Sequence, residues 1–180
     1  QGDFCTEANF LEVVKNVDVI FHLISTSLPT DSNLDPVNDA VKNIIPTLRL
    51  LEAARLEAID KVIFFSSGGT VYGQTTVSPI PESHPTNPLC AYGAHKVATE
   101  LYLGLYHRLY NLDYRVMRIA NPFGTYQATN HLQGVIPIFM QKIMGGEVIE
   151  IWGDGTIIRD YISADDVMRA GVYLMDYNGD

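Results

Sequence analysis

The sequence predicts an α/β fold, a doubly wound sheet of parallel strands. Three observations carry this. Apolar runs of strand length, at 17–24, 61–67 and 114–120, alternate with segments of helical period. The runs are apolar on both faces, as strands covered by two helix layers must be. Polar segments follow them, at 25–27, 66–73 and 121–124, where sheets of this kind bind ligands.

Each element has its own reason. After Gly2-Asp3, a helical pattern runs through Phe10, Leu11, Val13 and Val14, and 17–24 reads as the first strand. Asp35-Pro36 predicts a helix start, since Asp accepts at the N-cap and the missing N–H of Pro costs nothing in the first turn. Val37, Val41, Ile44, Leu48, Leu51 and Ala54 keep its period to about residue 57. The strand 61–67 ends in Gly68-Gly69-Thr70-Val71-Tyr72-Gly73, and a loop with Pro79, Pro81, Pro85 and Pro88 leads to a helix from Tyr92 to about residue 111. The third strand ends at Asn121-Pro122-Phe123-Gly124. A helix over 135–144, stopped by Gly145-Gly146, a short strand at 148–152, an extended stretch at 157–162 and a helix over 165–177 complete the prediction. The alternation loosens over 122–134, which marks entry into a second, smaller region.

The 180 residues, 47% hydrophobic and 18% charged, suffice for one sizeable core. A net charge of −9 argues against a general binder of nucleic acid or anionic lipid. Cys5 and Cys90 have no metal-type spacing and read as inert thiols in a reducing compartment; no metal site is predicted. The run 17–24 carries Asp18 and His22 and is far short of the ~20 residues a membrane span needs. With no secretory pattern at the start, a cytoplasmic protein is expected.

Tyr92 and Lys96 stand four residues apart in Ala91-Tyr92-Gly93-Ala94-His95-Lys96. On a helix that spacing puts phenol and ammonium on one face, one turn apart. A phenol with a pKa of about 10 is a poor base at neutral pH. A neighbouring cation favours the phenolate and brings it into working range for taking a proton from an alcohol. An amphipathic helix with a surface lysine has the same spacing, so the pair gains its weight from its surroundings.

Those surroundings are Gly2-Asp3, Val19-Ile20-Phe21-His22-Leu23, Asn43 with Thr47-Leu48, the segments 66–73 and 118–124, and Gly153-Asp154-Gly155 followed by Arg159-Asp160-Tyr161 and Asp166. In this order and spacing the chain resembles the extended short-chain dehydrogenase/reductase family, and within it the nucleotide-sugar epimerases and dehydratases, most of all the UDP-glucose 4-epimerases. The resemblance covers nearly the whole chain. It implies a Rossmann-like sheet, NAD as cofactor, a nucleotide-diphosphate sugar as substrate and a homodimer packed through the helices at 35–57 and 92–111, whose apolar excess also suits a core. Residues 1–121 would form a partial NAD-binding domain without its first βαβ unit, and 122–180 part of a substrate-binding region interleaved with the last sheet elements.

Residue by residue, the resemblance makes Tyr92 the base and Lys96 the residue that holds the nicotinamide ribose and lowers the tyrosine pKa. Asp3 matches a contact to the adenine amine, and Leu23, Ile24 and Ser25 the strand end lining the dinucleotide. Asn43 matches a helix asparagine near the cofactor, although a polar residue on a wet helix face reads equally well. Ser66 and Pro122 fall on strand ends facing the cofactor. Asn121 and Arg159 match contacts to the substrate diphosphate, a task suited to the planar donors of arginine. Trp152 falls where the family places a uracil-facing aromatic, with a core tryptophan as the alternative. Asp160 and Asp166 read as caps and turn residues.

Two positions depart from the epimerase pattern. Gly68 stands where a serine or threonine bonds the reacting hydroxyl, leaving Ser67 or Thr70 to take over, with Thr70 favoured. Gly134 stands where the pattern has an asparagine. The alternatives are a 4,6-dehydratase, whose Asp-Glu pair is here Gly69-Thr70, a sugar reductase, or an inactive dinucleotide-binding regulator, which would have lost the Tyr–Lys pair. The family's glycine-rich phosphate turn does not occur in the sequence. The chain is therefore expected to be part of a longer enzyme and to bind NAD weakly alone; tight binding by calorimetry would overturn that.

Overall fold

The computed structural model describes residues 2–6, 9–124, 127 and 134–179. Its elements are α1 (Phe10–Val14), β1 (Val19–His22), α2 (Pro36–Leu56), β2 (Lys61–Ser67), α3 (Ala91–Tyr110), β3 (Asp113–Ile119), β4 (Asn121–Phe123), α4 (Val135–Gly145), β5 (Tyr161–Ser163) and α5 (Ala164–Asp176). The first three strands form a parallel sheet in the order β1-β2-β3. Parallel pairing needs long crossovers, and α2 and α3 supply them.

β2 is central, and its side chains alternate between two helix layers. Val62 and Phe64 join the core built with Phe10, Leu50, Leu51, Ala54 and Leu103. Phe65 faces the other way, to α5, where a Cβ on Gly171 would stand in ordinary contact, 3.5 Å from both Phe21 and Phe65. Burying each of Val62, Ile63 and Phe64 contributes ~1.5–3 kcal/mol. β1 and β3 border β2 on one side only and are less buried than their apolar sequences suggest. The expected strand 17–24 shortens to the four residues that pair with β2.

α2 begins as predicted, with Asp35 accepting from Asn38 N at 3.0 Å and Pro36 in the first turn. Its interior Pro46 has no N–H, so the Lys42 carbonyl one turn back lacks its helical donor. The Cys5 thiol donates to that carbonyl at 3.7 Å. Burial and then Asp3 raise the Cys5 pKa, so the thiol stays protonated for this contact. α3 ends at Asn111, whose positive φ of 58° suits a left-handed cap.

A second, two-stranded parallel sheet pairs Asn121 with Tyr161, Pro122 with Ile162 and Phe123 with Ser163. Gly124 is required where β4 meets α5, because a Cβ would come within 2.9 Å of Ala164 Cβ. The strand expected at 148–152 is not formed: the segment is irregular, and its apolar residues are exposed. A short apolar run with no neighbouring strand cannot satisfy its backbone as a strand. Of the extended stretch 157–162, only its end enters β5.

Buried Lys61 closes α5 against the sheet. Its ammonium donates to the carbonyls of Leu174, Met175 and Tyr177 at 3.2, 2.8 and 2.8 Å and lies 3.5 Å from Asp113. Among the described residues no helix is long and apolar enough to cross a membrane.

Candidate active site

Tyr92 and Lys96 sit in the first turns of α3, beside the end of β2 and the loop 68–73. Gly93 brings loop and helix together, since a Cβ there would stand 2.7 Å from Thr70 O and 2.9 Å from Pro88 Cβ. Next to this contact the Thr70 hydroxyl is buried with no hydrogen-bond partner among the described residues. Gly68 N donates to Ile119 O at 2.8 Å, and a Cβ on Gly68 would sit 3.0 Å from Arg118 O and 3.3 Å from Ala120 N. β3 approaches too closely here for a serine without a backbone shift. Ser67 is half-buried at the end of β2.

The Lys96 ammonium donates to Phe65 O at 2.7 Å and lies 4.8 Å above the Phe64 ring and 5.5 Å from the Tyr92 ring centre. Burial pushes its pKa down to about 8, partly offset by the Glu100 carboxylate. Tyr92 moves up from its ordinary value, first through burial and then through Cys90. This differs from the sequence expectation of a lowered phenol pKa. In this arrangement the ammonium is aimed at Phe65 O and desolvation of the phenolate prevails.

The floor of the site comes from β1 and α2. Asn43 Oδ1 accepts from Thr26 N at 3.0 Å, while its amide donates to Asp39 O and Oδ1 at 2.9 and 3.1 Å. Asn43 thereby fastens the loop after β1 to α2. His95 Nδ1 lies 2.9 Å from Asp39 Oδ2, a close contact lacking hydrogen-bond alignment. His22 is packed between Phe4 and Phe64, with ring centres 5.3 Å away on each side, and only 3% exposed. Burial and the Lys96 charge push its pKa down to about 4. Ile24, Ser25, Asn43, Tyr92 and Lys96 line one small cavity of about 20 Å3 with His22 and His95.

Behind α3, Arg118 Nη2 donates to Glu100 Oε2 at 2.7 Å, and its Nη1 donates to Tyr72 Oη and Glu82 O at 3.0 and 2.9 Å. The carboxylate raises the Arg118 pKa further. The same Glu100 accepts from the Ser66 hydroxyl. The single proton of the Ser66 hydroxyl is thus used within this network.

The remaining residues lie apart from the cavity. Asp3 is exposed and accepts from Cys5 N at 2.9 Å, and Leu23 is exposed beyond β1. Pro122 is on the second sheet, and Asn121 Nδ2 donates to Asp160 O at 2.7 Å, which draws the Arg159 segment to β4. Arg159 is exposed and donates to Ile158 O at 2.9 Å. Trp152, 83% exposed, is not a core residue. Gly134 has a φ of 98°, which explains a glycine there on backbone grounds alone. Sequence reasoning assigned no role to His22, Asp39, His95, Glu100 or Arg118. The available signals were a histidine ending an apolar strand and a glutamate one helical turn after Lys96.

The chain is 43% identical over 155 residues to a UDP-glucose 4-epimerase of Mycolicibacterium smegmatis, covering 86% of this chain and 50% of that protein. It is 37% identical over 166 residues to a putative UDP-glucose 4-epimerase of Methanocaldococcus jannaschii, covering 92% and 54%. The crystal structure of the UDP-glucose 4-epimerase of Thermotoga maritima with UDP-glucose matches with a TM-score of 0.92 at 36% identity, over 97% of this chain and 58% of that one. The chain thus spans about half the length of the curated relatives it matches. The model of the NAD dependent epimerase/dehydratase family matches residues 1–180, and the chain belongs to that family.

Proposed function

We propose that this chain carries the chemical step of an NAD-using nucleotide-sugar 4-epimerase acting on the UDP-glucose/UDP-galactose pair. The observation that carries the reading is the Tyr92–Lys96 pair one turn apart on α3, beside a buried Thr70 hydroxyl without a partner among the described residues. The residues fit the nicotinamide end of NAD: Lys96 spends one proton on Phe65 O and has two left for ribose hydroxyls. Ile24, Ser25 and Asn43 line the same cavity. Asp3, Leu23 and Pro122 belong to the cofactor side in this reading. When bound, NAD supplies the hydride acceptor at C4, the donor that restores it, and a positive nicotinamide charge that favours the Tyr92 phenolate.

Tyr92 Oη takes the C4 hydroxyl proton and later returns it. Lys96 steadies the phenolate as its proton leaves. Thr70 Oγ1 holds the reacting oxygen in the role that Gly68 cannot fill, with Ser67 as the second hydroxyl in reach of that strand end. Arg159 and Asn121 keep the diphosphate anchored while the sugar turns, and Trp152 packs against the uracil. Residues 1–121 act as the cofactor side and 122–180 as the substrate side. The protein works in the cytoplasm as a homodimer, for which α2 and α3 offer exposed apolar stripes, Val37-Val41-Ile45 and Leu101-Leu105-Leu109.

The test is to incubate the complete gene product with NAD and UDP-galactose and identify products by chromatography and proton NMR. UDP-glucose with no net NADH supports the reading, and a 4-keto-6-deoxy product replaces it with the dehydratase. Tyr92→Phe should lower turnover by at least ~100-fold while NAD binding persists; a mutant near wild-type activity refutes Tyr92 as the base.

A further inference from the structure

Arg118 stands opposite Ser66 in the β2–β3 register, and both side chains reach Glu100 on α3. Nε and Nη2 of Arg118 donate to this carboxylate, Nε at 3.2 Å to Oε1 and Nη2 at 2.7 Å to Oε2. Two charged bonds from one planar group fix the direction of the third nitrogen. Nη1 is thereby aimed at Tyr72 Oη, 3.0 Å away, and at Glu82 O, 2.9 Å away. A guanidinium has donors only, so Tyr72 Oη accepts. Tyr72 is 6% exposed, and its ring meets that of His84 edge-on, with centres 6.0 Å apart.

The loop 68–73 that carries Tyr72 is tied elsewhere too. Gly68 N donates to Ile119 O at 2.8 Å, and Asn87 N donates to fully buried Val71 at its carbonyl, at 2.9 Å. Gly73 has a φ of 69° and passes so close to Asn87 that a Cβ would overlap its carbonyl oxygen. Thr70 lies between these ties. Its Cβ is 3.2 Å from the place of a Cβ on Gly93, the residue after Tyr92. Its hydroxyl is the group these ties leave unused, buried and without a partner among the described residues. A mobile loop would turn such a hydroxyl to a partner or to solvent, since a buried polar group left unpaired is costly. A loop pinned on both sides of Thr70 cannot.

We propose that Tyr72 is a positioning residue: gripped by Arg118, it holds the loop so that the Thr70 hydroxyl stays free for the reacting sugar oxygen. Gly68 offers no hydroxyl, so the placement of this one decides the contact. The use of Thr70 on a sugar rests on the epimerase reading above, whereas the restraint on Thr70 rests on these contacts alone.

The test is Tyr72→Phe in the complete gene product, which keeps the buried ring and removes the atom that Arg118 holds. With NAD and UDP-galactose, kcat should fall by about 10- to 100-fold, as for a misplaced reacting group. KM for UDP-galactose should stay within about twofold, because no substrate contact is lost. In a Thr70→Ala background the same change should lower kcat by no more than about twofold, because Tyr72 acts through Thr70. An unchanged kcat, or an equal fall in both backgrounds, overturns the inference. Threonine methyl NMR without substrate gives a readout independent of turnover. The Thr70 methyl should occupy one rotamer in the wild type and average over several in Tyr72→Phe, while buried Thr47 and Thr99 stay unchanged. A Thr70 methyl already averaged in the wild type, or equally rigid in the variant, overturns the restraint. Loosening of all three methyls alike also overturns it, as a general loss of packing. A wild type that does not epimerise refutes the epimerase reading, and the methyl result still decides the restraint on Thr70.

Discussion

Acid should unfold this chain partly through His22. Confinement between Phe4 and Phe64, with Lys96 nearby, takes its pKa from 6.5 to about 4. The folded-state value lies below the unfolded one, so between pH 6.5 and 4 the unfolded chain binds the extra proton. The stability contributed by neutral His22 is complete above pH 6.5 and is lost progressively as pH falls to about 4. The 2.5-unit difference between 6.5 and about 4 corresponds to about 3 kcal/mol. That is a sizeable share of a typical 5–15 kcal/mol total. The perturbation is His22→Phe, which keeps an aromatic ring between Phe4 and Phe64 and removes the titration; Thr47 retains its bond to Asn43 O. Urea unfolding followed by circular dichroism, from pH 7.5 to 4, gives both stability curves. Wild type should lose about 3 kcal/mol more than the variant across that window. Lys96 does not blur the result, because its depressed pKa of about 8 makes stability rise between pH 8 and 10.5, outside the window. Parallel curves for the two proteins would refute the assignment of a buried, neutral His22.

Three further outcomes follow from the contacts. Lys61→Met should destabilise by on the order of 3 kcal/mol, because three carbonyls at the end of α5 lose one donor; thermal unfolding measures it, and a loss under 1 kcal/mol would contradict that role. Gly93→Ala should cost roughly 1–3 kcal/mol, since its Cβ would meet the Thr70 carbonyl at 2.7 Å; an amide spectrum unchanged at Thr70 would count against this packing. Glu100→Gln should lower the Lys96 pKa below about 8, as the carboxylate is what raises it; reductive methylation of lysines and carbon NMR against pH would read the change, and an unmoved titration would exclude the coupling.

Much of this protein was determined by its sequence. The apolar runs and the Asp35-Pro36 start specified β2 and α2 almost to the residue, because a central strand and a capped helix follow local rules. The Tyr92–Lys96 spacing was legible for the same reason: helical period alone places them one turn apart. Only the tertiary structure decided the state of that pair. Lys96 is turned to Phe65 O, and burial outweighs the cation at Tyr92, because desolvation depends on what packs from β1, β2 and α2. The same holds for the apolar segment 148–152, which reads as a strand but finds no neighbour. It holds for Ser66, whose hydroxyl is claimed by Glu100, 34 residues away. His22 gave no sign of its tautomer in the sequence. Thr47, 25 residues further on, imposes it, since its one proton belongs to Asn43. Local pattern follows from neighbours along the chain. Protonation, tautomer and close approach follow from neighbours in space.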